Sequence, residues 1–180
     1  MLKKFTNTVS PPIGSEITHM LIHVKGSNKS VRKLVRLAAW YYAEKLMGKR
    51  SIANLEININ LRKDMLKKEN NEGTAIWEDD WRTAPHKEFL IELDCDVKIR
   101  NLLISLAHEM VHIKQWAKNE MYEYCKLDEV RFHSTKFNLS KIDYWDYPWE
   151  IEAFGRQLGL FVRFCEENGF ANRKDMVEEI

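Results

Sequence analysis

Residues 102–116 combine an H-E-x-x-H pattern with a clear helical periodicity. Apolar side chains recur there at spacings of three and four, namely Leu102, Leu103, Leu106, Met110, Ile113 and Trp116. This spacing predicts an amphipathic α-helix with one broad apolar face. His108 and His112 lie four residues apart, so on a helix both imidazoles project from the same, more polar side. Two imidazoles placed in this way can reach one zinc ion.

Glu109 immediately follows the first of these histidines. On a helix it is rotated by about 100° from His108, so its carboxylate can lie beside a water at the metal and leave the metal itself to the histidines. That is the position of a general base. The sequence therefore predicts His108 and His112 as metal ligands and Glu109 as the catalytic residue. The alternative interpretation is a buried helix that carries two histidines and a solvated glutamate by coincidence.

The length and charge of the chain restrict its domain organisation and its partners. With 180 residues, 44% of them hydrophobic, the chain can form one domain over residues 1–180 around one continuous core. Residues 1–14 read as an irregular lead-in and residues 171–180 as a polar tail. The 28 basic and 27 acidic residues give a formal net charge of +1. This balance gives no clear signal for nucleic-acid binding and none for an anionic membrane.

Cysteine usage and hydropathy predict the compartment. The chain has three cysteines and no C-x-x-C pair, which indicates neither a disulfide framework nor a cysteine zinc site. The amino-terminal residues lack the apolar segment of a secretion signal, and no apolar run is long enough to span a membrane. We therefore expect a soluble, cytoplasmic protein. The sequence does not predict its oligomeric state.

Periodicity elsewhere predicts an α+β fold. Strands are predicted at residues 54–61, 74–77, 88–93, 130–132 and 136–138. Further helices are predicted at residues 30–47 and 148–168, and residues 15–24 fit either a helix or a strand, of which the helix is favoured. In the last of these helices the residues expected to face the core are Ile151, Phe154, Leu158, Phe161, Val162 and Cys165. The predicted architecture is a small, mainly antiparallel sheet packed on helices.

A third zinc ligand must come from outside the H-E-x-x-H helix, because a catalytic zinc normally takes three protein ligands and one water. The metzincin extension is absent, since Gln115 and Lys118 stand where that group has a glycine and a histidine. Glu150 and Glu152 on the last predicted helix are the first candidates. They point about 200° apart, so only one of them can face the metal.

Glu150 is favoured by a resemblance. His108 to His112 followed on a later helix by Glu150-Ile151-Glu152-Ala153 resembles the gluzincin arrangement, in which a glutamate of a second helix completes the zinc site. In integral-membrane and phage-regulatory relatives that glutamate stands three residues before an alanine, as Glu150 does here. Phe154 replaces the Asp or Asn that usually follows the alanine. With residues 144–149, this segment also resembles small metallopeptidase-like proteins encoded in phage genomes.

The resemblance covers roughly the carboxyl-terminal half of the chain. It implies a minimal zincin-like domain with an H-E-x-x-H active-site helix and a carboxyl-terminal ligand helix. It also implies bound Zn²⁺, a protein or peptide substrate, and a phage-encoded protein expressed in the cytoplasm of a host. A second resemblance keeps another ligand open, because His133 in His133-Ser134-Thr135 is similar to the third histidine of SprT-like proteases.

The leading functional hypothesis is zinc-dependent hydrolysis of peptide bonds with Glu109 as general base. Tyr144, Tyr147 and His133 are candidates for stabilising the oxyanion or contacting substrate. One alternative is a catalytically inactive zincin scaffold that binds or regulates a protein partner. The other is a SprT-like, nucleic-acid-associated protease, which would need a basic groove.

Overall fold

A computed structural model describes residues 20–80, 82–124 and 127–177. The fold is mixed α+β with two small sheets. The strands in the described part are β1 (Leu21–Lys25), β2 (Glu56–Arg62), β3 (Gly73–Trp77), β4 (Glu88–Asp94), β5 (Met121–Tyr124), β6 (Glu129–Phe132) and β7 (Thr135–Asn138). The helices there are α1 (Lys29–Met47), α2 (Met65–Glu69), α3 (Ile99–Ala117) and α4 (Pro148–Glu167). The predicted lead-in at residues 1–14 lies outside the described residues.

The larger sheet has the strand order β1-β2-β4-β3. Strands β1 and β2 are parallel, as are β2 and β4, and only the edge strand β3 runs antiparallel to β4. The expectation of a mainly antiparallel sheet is therefore wrong for this larger sheet. Helix α1 connects β1 to β2, and α2 with β3 connects β2 to β4, so each connection is long enough to return the chain in a parallel direction.

Strand β1 replaces the helix predicted at residues 15–24. Residues 15–19 lie outside the described part of the chain, but Leu21–Lys25 is extended and pairs with β2. Within it Ile22 and Val24 are buried and Leu21, His23 and Lys25 are exposed. The same apolar residues fit both periods over so short a segment, and pairing along β2 decides in favour of the strand.

The core lies between one face of this sheet and helices α1 and α3. Alternate residues of β2 and β4 point inward and are at most 6% exposed, namely Ile57, Ile59, Leu61, Phe89, Ile91 and Leu93. The apolar face predicted for α3 is confirmed, because Leu103, Leu106 and Met110 are fully buried. The other side of α3 thereby turns toward β3 and α4, which it contacts. None of the described helices is both long and apolar enough to span a membrane.

The second sheet is an antiparallel meander of β5, β6 and β7. The hairpin predicted from residues 130–132 and 136–138 is confirmed as β6 and β7. His133 stands in its turn with a φ of 50°. Two short 3₁₀ turns, Leu139–Lys141 and Tyr144–Asp146, then lead the chain into α4. Trp149 at the start of α4 packs on the rings of Phe132 and Phe137, which ties the meander to this helix.

Helix α4 has the predicted extent but a different orientation. Of the six residues expected to face the core, only Phe161 and Cys165 are buried. The other four are 41–56% exposed, namely Ile151, Phe154, Leu158 and Val162. The inner face of α4 instead carries Glu150, Ala153 and Phe164. The helix is thus rotated so that a carboxylate, and not its longest apolar stripe, meets α3.

Candidate metal centre

Three side chains converge where α4 begins against the middle of α3. The Nε2 atoms of His108 and His112 lie 3.2 Å apart. Glu150 Oε2 lies 3.3 Å from His108 Nε2, and Glu150 Oε1 lies 3.5 Å from His112 Nε2. The structure therefore brings together the two histidines of the H-E-x-x-H pattern and the glutamate proposed as third ligand.

These three side chains fit a metal ion in spacing and in chemistry. Zinc–nitrogen and zinc–oxygen bonds of about 2.0–2.1 Å in a tetrahedron place neighbouring ligand atoms about 3.3 Å apart. The three observed separations of 3.2–3.5 Å match that value. Two imidazole nitrogens and one carboxylate oxygen are also a common ligand set of catalytic zinc. His108, His112 and Glu150 could therefore hold a metal ion and leave a fourth position open.

The charges around this group favour an ionised Glu150. Burial alone would raise the pKa of Glu150, but hydrogen bonds with His108 and His112 and a further one from Tyr144 hold it well below its usual range. Burial alone would lower the pKa of His112, yet its contacts with Glu150 and the neighbouring charge of Glu109 raise it. The cluster thus retains one negative charge beside a buried and a half-buried imidazole.

Glu109 lies beside the triad and is only 6% exposed. Burial is the largest influence on the pKa of Glu109 and raises it, with a further rise from Glu150. The charges of His112 and His108 and a hydrogen bond from the backbone of Ala75 oppose that rise, and the pKa remains above its ordinary value. A carboxylate with a raised pKa is better suited to take up and release a proton near neutral pH.

A cavity of about 850 Å³ opens onto these residues. Edge strand β3 contributes one wall, and the polar side of α3 forms its floor. Phe154 and Leu158 of α4 line it from the opposite side. The site is therefore a cleft between an edge strand and a helix, within the size range of ligand-binding pockets.

The three candidates for oxyanion or substrate contact lie in different places. Tyr144 lines the cleft, and its hydroxyl donates to Glu150 Oε2 at 2.9 Å. Tyr147 also lines the cleft, but its hydroxyl donates to the carbonyl of Leu139 at 3.3 Å. His133 is exposed in the β6–β7 turn and does not line the cleft. Of these three residues, Tyr144 is the one whose side chain hydrogen-bonds to a member of the triad, Glu150.

Glu152, the rival of Glu150, faces a different set of partners. Its Oε1 lies 2.7 Å from Lys114 Nζ and 2.8 Å from Arg156 Nε, and its Oε2 accepts from Gln115 Nε2 at 3.1 Å. Glu152 is thus occupied by an ion pair with Lys114 of α3 and by one with Arg156 of its own helix. In the described residues, the group of side chains able to hold a metal contains Glu150 and neither Glu152 nor His133.

The sequence alone did not identify two glutamines that contact the histidines. Gln115 lies 2.9 Å from His112 Nδ1, and Gln157 lies 3.0 Å from His108 Nδ1. Gln115 stands three residues after His112, so its position on the same helical stripe was a readable signal. Gln157 stands seven residues after Glu150, two helical turns along the same face of α4, but no sequence pattern links it to a histidine of α3.

Comparisons of the chain with protein-family models, with curated proteins and with solved structures find no match. The function must therefore be inferred from the residues of this site.

Proposed function

We propose that this chain is a zinc-dependent metallopeptidase with a gluzincin-like ligand set. The observation that carries the proposal is the convergence of His108, His112 and Glu150 next to a buried Glu109. Three ligands with an open fourth position and an adjacent carboxylate are the parts that metal-assisted hydrolysis requires. The zincin-like character of the fold is part of the same proposal.

In this proposal Glu109 transfers the proton and Tyr144 stabilises the oxyanion. Bound zinc would supply a water of lowered pKa and would polarise the scissile carbonyl. Glu109 accepts a proton from the attacking water and delivers it to the nitrogen of the leaving amine. Burial and the hydrogen bond to Glu150 raise the pKa of Tyr144, so its hydroxyl stays protonated at neutral pH and can donate to the developing oxyanion.

The shape of the cleft favours a polypeptide as substrate. Edge strand β3 forms one wall, so an extended chain can lie along it. Phe154 and Leu158 on the opposite rim are 41% and 49% exposed and offer apolar surface to side chains of such a substrate. A formal net charge of +1 gives no comparable support to a nucleic-acid-associated protease.

The first experiment replaces the proposed general base. Glu109→Gln should retain the zinc content of the wild type, because the three ligands are untouched, and should lower peptide cleavage by about 10²–10⁴-fold. Zinc is measured by elemental analysis, and cleavage with a library of quenched fluorescent peptides. Cleavage at the wild-type rate in Glu109→Gln would exclude this base.

The second experiment compares two glutamates on α4 with the same substitution. Loss of a residue that only hydrogen-bonds to a metal ligand typically weakens metal binding by about 10–100-fold. Glu150→Gln removes a proposed ligand and should weaken zinc binding by more than that. Glu152→Gln should keep the wild-type zinc affinity. Zinc affinity is measured by competition with a chromophoric chelator. The reverse pattern would make Glu152 the ligand. A wild type that binds zinc but cleaves no peptide would support the alternative of a non-catalytic binding protein on the same scaffold.

A further inference from the structure

Each histidine of the triad contacts a glutamine through the ring nitrogen that faces away from the site. His112 Nδ1 lies 2.9 Å from Gln115 Oε1, and His108 Nδ1 lies 3.0 Å from Gln157 Oε1. Both contacts leave the two Nε2 atoms facing Glu150. The two glutamines come from different helices, Gln115 from α3 and Gln157 from α4.

The orientation of the Gln115 amide follows from its other contacts. Its Nε2 donates to the carbonyl oxygen of Trp149 at 3.0 Å and to Glu152 Oε2 at 3.1 Å. Glu152 Oε1 lies 2.7 Å from Lys114 Nζ and 2.8 Å from Arg156 Nε, so this carboxylate is held as an acceptor by two cationic groups. Both partners can only accept a hydrogen bond, so the amino group of Gln115 must face them.

The tautomer of His112 follows in turn. With its amino group fixed, Gln115 presents Oε1 to the imidazole, and a carbonyl oxygen can only accept. Nδ1 of His112 must therefore carry a hydrogen. Without a metal, Nε2 can carry a second hydrogen and donate it to Glu150, and a metal at the site would replace that second hydrogen and leave the Nδ1–H tautomer. Gln115 is completely buried, so water does not compete for this contact.

We propose that Gln115 and Gln157 are positioning residues that keep a hydrogen on Nδ1 of His112 and His108, so that each imidazole would bind zinc through Nε2. This inference rests on the proposed zinc site. Carboxylates often occupy such positions and add negative charge to the ligand histidine. Here neutral amides orient the rings, and Glu150 supplies the negative charge of the triad. Phe154 stands where the resemblance leads one to expect an acidic or amide residue, and Gln157 provides the contact from one turn further along α4.

The experiment measures zinc affinity of the full 180-residue protein by chelator competition. Gln157→Met keeps the length of the side chain and removes the acceptor, and it should weaken zinc binding by about 10–100-fold. Gln157→Glu keeps an acceptor at the same place and should bind zinc within a few-fold of the wild type. Gln157 is partly exposed, so neither substitution should unfold the protein, and the melting temperature of the zinc-free form checks this. Wild-type affinity in Gln157→Met would overturn the role of Gln157.

A spectroscopic measurement tests the proposed role of Gln115 without a substitution of this buried residue. Long-range ¹H–¹⁵N correlation spectra of zinc-loaded ¹⁵N-histidine protein report which ring nitrogen carries the hydrogen and which one binds the metal. Both histidines should show Nδ1–H, and Gln157→Met should speed the exchange of this hydrogen with water in His108 alone. A spectrum with Nε2–H on His112 in the wild type would disprove the proposal.

The two proposals fail in different ways. If His112→Ala abolishes zinc binding while Gln157→Met leaves it unchanged, the positioning role is wrong and the zinc site stands. If the wild type shows both the tautomers and the Gln157 dependence but cleaves no peptide, the peptidase proposal is wrong and the positioning role stands. A wild type that binds no zinc overturns both.

Discussion

Gly73 shows how closely one residue of β3 approaches the proposed base. A Cβ added to Gly73 would lie 3.1 Å from Glu109 Oε1 and 2.9 Å from Leu93 Cδ2. Both distances are shorter than ordinary van der Waals contacts. The absence of a side chain at position 73 therefore leaves room for the Glu109 carboxylate between the edge strand and α3.

Gly73→Ala should accordingly lower peptide cleavage by about tenfold while zinc binding stays at the wild-type level, because a small displacement of a proton-transferring group is costly. The measurement is kcat/KM on a cleaved peptide, with zinc content determined on the same samples. Gly155→Ala is the matched control. An added Cβ at Gly155 meets nothing within 4 Å, so this variant should keep its activity and gain about 1 kcal/mol of stability from helix propensity. Equal activities in the two variants would contradict the crowding argument.

The residues of the site differ in how far the sequence could predict them. His108, Glu109 and His112 form a local pattern, and helical geometry alone places both imidazoles on one side. The choice of Glu150 as third ligand depends on a resemblance, because the local sequence does not indicate whether Glu150 or Glu152 faces the histidines. Gln157 could not be predicted, since its contact depends on how α4 is rotated against α3.

At the scale of elements, a buried cluster of charged groups fixes the contact between α3 and α4. Lys114 has an 8% exposed side chain and lies 2.5 Å from Glu120 and 2.7 Å from Glu152. Removal of one partner would leave an uncompensated buried charge, which is costly in proteins. Because Glu152 also accepts from Gln115, these ion pairs contribute to holding the proposed metal ligands in place.

This cluster explains why the apolar pattern of α4 was misleading. Ile151, Phe154, Leu158 and Val162 form the most regular apolar stripe in the helix, yet the stripe is exposed. Glu150 contacts the two histidines of α3 and Glu152 contacts Lys114 of α3, and these polar contacts set the rotation of α4. The apolar pattern of a helix is therefore a poor guide to its buried face when the neighbouring helix presents charged or polar side chains to it.

The sequence predicts a strand correctly where the alternating pattern is long. It does not predict the features that depend on how strands pair, namely the direction of the main sheet and the strand β1. The alternation in β2 runs over seven residues and was readable as a strand with one buried face. The direction of pairing was not readable, since it depends on whether α1 and α2 cross over the sheet. In β1 only five residues are extended, too few to distinguish a strand from a helix by period alone.

At the scale of the whole molecule, the proposed ligands join parts that are distant in the chain. His108 and His112 belong to the helix that packs on the main sheet, and Glu150 follows the β5–β7 meander. The rings of Tyr147 and Trp149, stacked with centroids 4.6 Å apart, lie where the meander leads into α4. A metal at the site would therefore bridge the sheet-bound helix and the carboxyl-terminal helix.

Removal of zinc should consequently destabilise the whole fold. A ligand that binds only the native state adds stability by mass action, about 4.1 kcal/mol at a free concentration 1,000 times its dissociation constant. For a domain of this size that corresponds to a rise in melting temperature of about 8–16 °C. The measurement compares thermal unfolding of the wild type in buffered zinc and after chelation. His112→Ala, which lacks one ligand, should melt at the same temperature under both conditions. If the wild type also melts at one temperature with and without zinc, the bridge between α3 and α4 is not made by the metal.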